Sequence, residues 1–464
     1  MKRFWLVLLS LGLIVAFSTS AMAVDVKFNG EYYAAGMYLD KTSLKKDAGP
    51  STAFYFQRLR LGTDFVVSPG LKLVTRADIM ERAWGANRSS STVGITTTPP
   101  GAVTSVVSAP PDVMSAGTRA ENENIAFDLL YVSYVSPIGM FNVGYQIDDV
   151  WGTVWGNSSN PKGKIAYFFK TGGLTLILQA GKDKELSRSV NNPLGDADKD
   201  QSFYTAAGIY SWKTGEAGLL FKYIKNNQFR NAYGALAQDA GFTWDGLITT
   251  PYVKAKLGPV ALQAQIYYLY GEQSWEGNRA LLGNPPDVDL SQLTAWIDAT
   301  VDFGKFYVGG SLAYVSGDDP DTLDEQEGGV LGGGLDYNPC LIMFNSDLNY
   351  WTGNLAGHNG SANNGPMSNA YFAQLRAGVK PIDKLDIMLS GSYATADKTP
   401  QAVWDSREYG YEIDLTATYK LTNNLSYMVG GGYWMVGDYY KGPANAGQDV
   451  DDNYIILNKL TLTF

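Results

Sequence analysis

The feature that most constrains this 464-residue chain is a rhythm of connection lengths. Amphipathic runs with a period of two recur along it, the periodicity of strands rather than helices. In EYGYEIDLTATYKL, Tyr409, Tyr411, Ile413, Leu415, Ala417 and Tyr419 share one face, and Gly410, Glu412, Asp414, Thr416, Thr418 and Lys420 the other. Other runs set Leu293, Ala295, Ile297, Ala299, Val301 and Phe303 against Thr294, Asp298, Thr300 and Asp302, and Tyr371, Ala373, Leu375, Ala377 and Val379 against Gln374, Arg376 and Lys380. Eight tight turns follow such runs, at Ser68–Gly70, Ser136–Gly139, Thr171–Gly173, Lys213–Gly215, Leu257–Pro259, Phe303–Lys305, Lys380–Asp383 and Leu421–Asn424. The connections between them are usually longer and richer in Gly, Asn, Asp, Ser and Pro, the longest being 85–123 and 317–368. Short turns at one end and long loops at the other are the organisation of an outer-membrane barrel. A soluble sandwich has no cause to alternate its loops in this way.

The fold class expected is therefore all-β: a transmembrane, antiparallel, up-and-down barrel with short periplasmic turns and long outer loops. With both termini at the turn end, eight turns and nine loops make 18 strands. An extra hairpin at Asn338-Pro339 makes 20, and misreading a weak turn such as Lys213–Gly215 makes 16. Leu341–Phe344 lacks alternation, so 330–351 is expected in a long loop folded against the barrel. Hydrocarbon offers backbone N–H and C=O groups no partner, so the sheet must close, pairing the last strand with VKFNGEYYAAGMYL (26–39).

The N-terminus agrees with export. MKRFWLVLLSLGLIVAFSTSAMA has a basic start at Lys2 and Arg3, an apolar stretch from Phe4 to Phe17 and a closing Ala21-Met22-Ala23, the three regions of a signal peptide. The expected organisation is a signal peptide over 1–23 and a barrel over 24–464, in the outer membrane of a Gram-negative bacterium. Removing 1–23 takes away two cations and no acid, so a net charge of -10 becomes -12. That acidity argues against nucleic acid as a partner. One cysteine, Cys340, and one histidine, His358, exclude an intrachain disulfide and a His/Cys metal cluster, and no cofactor is expected. Trp151, Trp155, Trp212 and many tyrosines near strand ends are expected in aromatic girdles.

The chain ends DNYIILNKLTLTF. Its alternation and final aromatic resemble the C-terminal signal by which bacterial assembly machinery recognises outer-membrane barrels, carried here by Tyr454, Ile456, Leu460, Leu462 and Phe464. A second resemblance lies in FQRLRLGTDFVVSPGLKLVTRADIMERAWG (56–85), which is similar to the early hairpin of a porin family of anaerobic Gram-negative bacteria. The resemblance implies a water-filled channel, a homotrimer as in general porins, and lipid and lipopolysaccharide as surroundings.

In that hairpin Leu59, Leu61, Thr63, Phe65 and Val67 oppose Arg58, Arg60 and Asp64; on the returning strand Leu71, Leu73, Thr75, Ala77 and Ile79 oppose Lys72, Arg76, Asp78 and Arg82. Arginine at mid-depth is costly against lipid, so the charged face is expected to line the pore. Asp64 and Asp78 are available to pair with it, and Asp128, Asp148, Asp298, Glu412 and Asp414 are expected on other inner walls. Such walls bias permeant ions. Asp196, Asp198 and Asp200 have calcium-loop spacing, but Gln201 replaces the turn glycine and Ala207 the closing glutamate. The expected function is a passive diffusion channel for small hydrophilic solutes and ions. The alternatives are a more solute-selective channel, a barrel sheathing an electron-transfer partner, and a hydrolase, for which His358 is badly placed.

Overall fold

The computed structural model describes residues 24–85, 125–186, 198–230, 240–329, 334–400, 404, 406–443 and 448–464. The segment 1–23 and most of the connection 85–123 lie outside the described residues. The strands are β1 (Asp25–Leu39), β2 (Thr52–Ser68), β3 (Leu71–Ala83), β4 (Ile125–Ser136), β5 (Gly139–Asp148), β6 (Asn160–Thr171), β7 (Leu174–Lys184), β8 (Gln201–Trp212), β9 (Gly215–Asn226) and β10 (Gly241–Leu257). They continue as β11 (Val260–Glu276), β12 (Val288–Asp302), β13 (Phe306–Val315), β14 (Glu325–Gln326), β15 (Ala370–Ile382), β16 (Leu385–Ala396), β17 (Glu408–Lys420), β18 (Leu425–Val436) and β19 (Asn453–Thr463).

Each long strand pairs antiparallel with its chain neighbours, and β13 pairs with β15 across the intervening loop. Among the described residues only the two-residue β14 stands apart, joining β12 in parallel. The remaining 18 strands form one closed wall, sealed where β19 pairs with β1 from Glu31↔Thr463 to Leu39↔Ile455. At 10–17 residues every stave meets the length a tilted strand needs to cross a bilayer, about 9–11 residues. All eight predicted turns close hairpins at one end, the end that also holds both termini. The strand number and the wall are as the connection lengths predict.

Alternation decides which side of the wall each residue takes. Ile413, Leu415, Leu375 and Ile297 point outward and are exposed, whereas Glu412, Asp414 and Gln374 point inward and are buried. Outward aromatics gather in two belts. Tyr134, Phe169, Tyr210, Trp212, Phe303, Phe306, Tyr427 and Phe464 ring the turn end; Tyr55, Tyr145, Tyr204, Tyr268, Tyr371, Tyr411 and Tyr433 ring the loop end. Trp212 therefore sits in a girdle as expected. Trp151 and Trp155 do not: both are buried, Trp155 completely, because the connection that carries them turns into the barrel.

Among the described residues, two connections fill the interior. The β5–β6 segment, 149–159, reaches across to the far wall. Trp151 Nε1 donates to the Thr250 carbonyl at 2.9 Å, Thr153 N to Gln265 Oε1 at 2.9 Å, and Trp155 Nε1 to Thr294 Oγ1 at 3.3 Å. Gly152 takes φ 69°, and a Cβ there would lie 2.5 Å from Tyr252, so this close approach requires glycine. The second segment, 334–369, enters from between β13 and β15 and carries the short helix α1 (Ser346–Thr352). Its Ile342, Met343, Phe344 and Leu355 are fully buried. Trp351 packs on Phe56 with ring centroids 4.2 Å apart, and Phe344 meets Phe372 and Tyr409 edge-on. Residues 334–351 thus belong to a long loop folded against the barrel, as expected, and the side of the wall it packs on is the inner one; 330–333 lie outside the described residues. The two segments touch: Gly334 N donates to the Trp155 carbonyl at 2.7 Å and Asp336 N to that of Asn157 at 3.0 Å.

Candidate functional site: a lumen narrowed to one side

The 334–369 segment is held by the inner wall. Glu412 on β17 accepts the backbone N–H groups of Ile342 at 2.7 Å and Met343 at 2.6 Å, and Asp414 accepts that of Leu341 at 3.3 Å. Gln374 on β15 donates to the Pro339 carbonyl at 2.6 Å. Cys340 lies 3.3 Å from Ser392 Oγ, and burial pushes its thiol well above the usual range. The sequence singled out Glu412 and Asp414 as inner-wall acids; their partners, three consecutive amides of the loop, were not legible there.

What the segments leave open is a cavity of about 580 Å³ against the inner faces of β4–β11. Its wall carries Leu129, Tyr131, Phe168, Ile177, Leu220 and Tyr267; its opposite side is made by Val150, Trp151 and Gly156 of the crossing segment with Leu335 and Pro366. Four charged residues reach it: Asp148, Asp149, Lys164 and Lys222. Asp148 accepts from Lys164 and from Lys222, each at 2.6 Å, and Asp149 from Lys222 at 2.8 Å. Lys162 joins from β6 at 2.8 Å from Asp149 and 3.1 Å from Asp183. Phe203 lies beneath, its ring centroid 4.4 Å from Lys222 Nζ and 5.6 Å from Lys162 Nζ. Burial alone raises the Asp149 carboxyl, but Lys222 and Lys162 outweigh it and hold it well below the usual carboxylate range. Of this group only Asp148 is among the inner-wall residues expected from the alternation. The period-two spacing of Lys162 and Lys164 on β6 was a usable signal; the meeting with Lys222, three strands away on β9, was not.

The predicted basic ladder is a set of ion pairs. Arg60 grips Asp78 through two bonds of 2.8 and 2.7 Å, Arg76 Nε lies 2.9 Å from Asp128, and Lys72 lies 2.6 Å from Asp64. Arg58 meets Glu81 at 3.3 Å and lies over the Tyr33 ring, 5.1 Å from its centroid. None of these residues lines the cavity. Arg82 leaves the alternation: Met80 takes φ 55°, the β2–β3 register shifts, and Arg82 comes opposite Gln57 and is buried. Glu81, which the pattern did not single out, takes the inward place beside Arg58. Asp298, also read as inner, pairs with Arg376 at 2.7 and 2.9 Å.

The proposed calcium trio is not assembled among the described residues. Asp200 is engaged by Lys182 and by the Leu186 N–H, Asp198 by Asn227 Nδ2 at 2.8 Å, and Asp196 lies outside the described residues. His358 bonds the Asp449 carbonyl at 2.8 Å in the outer loops. On the terminal strand Tyr454, Ile456, Leu460, Leu462 and Phe464 share the outward face, and the Phe464 backbone exchanges bonds of 2.9 and 3.0 Å with Gly30.

No protein-family model and no curated protein matches the chain. Among solved structures it is similar to OccK5 (OpdH) of Pseudomonas aeruginosa, with a TM-score of 0.51 and 13% identity over 95% of this chain and 98% of that one. OccK9 (OpdG) of the same organism gives 0.50 and 12% over 94% and 99%. The outer membrane protein OpdK of that organism gives 0.49 and 12%, again over 94% and 99%. For OccK5 and OccK9, at these identities, the likeness is one of fold, spanning nearly the whole of each chain.

Proposed function

We propose that the chain is an outer-membrane porin of a Gram-negative bacterium, a passive channel for small hydrophilic solutes. The observation that carries this reading is the cavity left between the β4–β11 wall and the two infolded segments, inside a wall that closes on itself. A closed barrel with an apolar, aromatic-belted exterior has the membrane as its solvent. The partition of its interior by its own loops is how a barrel of this width becomes a narrow filter rather than an open hole. The same loops weigh against a sheath for an electron-transfer partner, because residues 334–369 occupy the space such a partner needs. The partly enclosed cavity also favours a degree of solute selection over free diffusion.

Residues 1–23 direct export and are removed; the outward face from Tyr454 to Phe464 is read by the assembly machinery; the barrel sits among lipid and lipopolysaccharide as a homotrimer. The narrower likeness to porins of anaerobic bacteria rests on residues 56–85 alone. Solute uptake by liposomes carrying the purified, folded protein tests the function. Entry of a small sugar above that of empty liposomes is expected, and no entry contradicts it.

A further inference from the structure

The charges around the cavity cancel. Among the described residues two aspartates and two lysines reach it, and each carboxylate is already shared between ammonium groups: Asp148 between Lys164 and Lys222, Asp149 between Lys162 and Lys222, with Asp183 balancing Lys162. The side chains of Lys164, Lys222 and Asp148 are only 4%, 8% and 5% exposed, so a passing ion meets a closed network rather than a free charge. An ion entering a narrow, weakly polar space loses hydration that nothing here replaces. Most of the remaining surface is apolar or aromatic, from Leu129, Phe168, Ile177 and Leu220 on the wall to Trp151 on the crossing segment, interrupted by the amides of Gln146 and Gln179 and the phenols of Tyr131 and Tyr267. The volume is of the size that holds one small organic molecule, about 300–1,000 Å³. The arginines of the β2–β3 hairpin do not alter the balance, since each named pair there is also neutral and lies outside the cavity lining.

Resting on the channel reading above, we infer that the cavity is a selectivity site for uncharged solutes that combine hydroxyl or amide groups with an apolar or aromatic face. The network of Asp148, Asp149 and Asp183 with Lys162, Lys164 and Lys222, three carboxylates against three ammonium groups, is what keeps it neutral. A solute of that class exchanges water for the apolar wall on one side and hydrogen-bonds to the amides and phenols on the other. A small anion or cation gains neither. Asp149 is the control point. It belongs to the crossing segment rather than to a strand, and its removal leaves one positive charge uncompensated, while Lys222 keeps Asp148 and Lys162 keeps Asp183.

Two measurements on the folded barrel test this. In liposomes, phenyl glucoside is expected to enter faster than glucose despite its greater size, and gluconate slowest. Replacing Ile177 and Leu220 together by Ser should abolish the advantage of phenyl glucoside while glucose still enters. In planar bilayers under a potassium chloride gradient, the reversal potential of the wild type should lie near zero. The Asp149→Asn variant should shift toward anions, with the permeability ratio changed about three- to fivefold, the scale of one uncompensated charge at several ångströms in water at low salt. Lys162→Gln should shift it the other way. Gluconate entering fastest, or a strongly anion-selective wild type that Asp149→Asn leaves unchanged, would overturn the inference and leave the channel standing. A folded protein that passes neither ions nor sugars would overturn both.

Discussion

Arg60 and Asp78 share two parallel hydrogen bonds on the inner wall, with the carboxylate side chain only 11% exposed. Removing the guanidinium leaves that carboxylate without its main partner. Arg60→Ala should therefore cost about 1–3 kcal/mol, less than a fully buried pair because the arginine keeps contact with water. The double variant Arg60→Ala/Asp78→Ala should recover part of the loss, read as the urea midpoint in detergent. Equal destabilisation in single and double variants would mean the pair does not act as a unit. Asp149 carries a pH prediction. Its carboxyl is held below the usual range, so its charge contributes stability in full above the unfolded value of about 3.9, and that contribution is lost as pH falls through the depressed folded value. The difference in melting temperature between wild type and Asp149→Asn should be constant from pH 5 to 8 and shrink only in stronger acid. A difference that vanishes by pH 5 would contradict the Lys162–Asp149–Lys222 geometry. At this scale the sequence revealed side, not partner. Alternation placed Arg58, Arg60, Asp64, Lys72, Arg76 and Asp78 on one face, but a single residue in an unusual conformation ends its reach. Met80 does so for Arg82, and the bulge at Gly410, φ 114°, turns Tyr409 inward onto Tyr439 and Phe344. Nothing in a methionine announces a positive φ.

Strands and turns were legible because their signals are local: period-two alternation and turn residues between runs. The missing alternation of Leu341–Phe344 marked a long loop against the barrel, but the entry of two segments into its interior was not legible, because a loop that enters a barrel satisfies its backbone through distant side chains. Glu412 lies about seventy positions from the Ile342 and Met343 amides it accepts, and Gln265 lies over a hundred from Thr153. Trp151 and Trp155 have the composition of a girdle and the location of a core. From this arrangement, excising 338–366 with a short Gly/Ser bridge should raise single-channel conductance several-fold while the barrel remains heat-modifiable on a gel. Unchanged conductance in that variant would mean the segment does not narrow the path. Tags should report the same geometry. A tag inserted within 89–120, in the long β3–β4 connection, should be reached from outside intact cells, and one at Asn423 only after the outer membrane is opened. Surface labelling at Asn423 would reverse the orientation.

At the scale of the molecule, closure is what makes the fold viable in lipid, and the terminal strand completes it through its ladder with β1. Phe464 adds one exposed ring to the turn-end belt, so its burial in lipid is worth at most about 1.5–3 kcal/mol, small against a closed wall of 18 staves. If the assembly machinery reads it, deleting Phe464 should lower the amount of folded barrel in the outer membrane far more than it lowers the stability of barrel refolded in detergent. Equal effects on both would assign Phe464 a packing role only. The proposed channel requires a path for solutes through this closed wall, past its own infolded loops. Single-channel recording of the purified, heat-modifiable protein in a planar bilayer tests it most directly. Discrete, ohmic steps of uniform size are expected, with a larger step when 338–366 is excised. A folded barrel that inserts yet shows no conductance in either form would contradict the account.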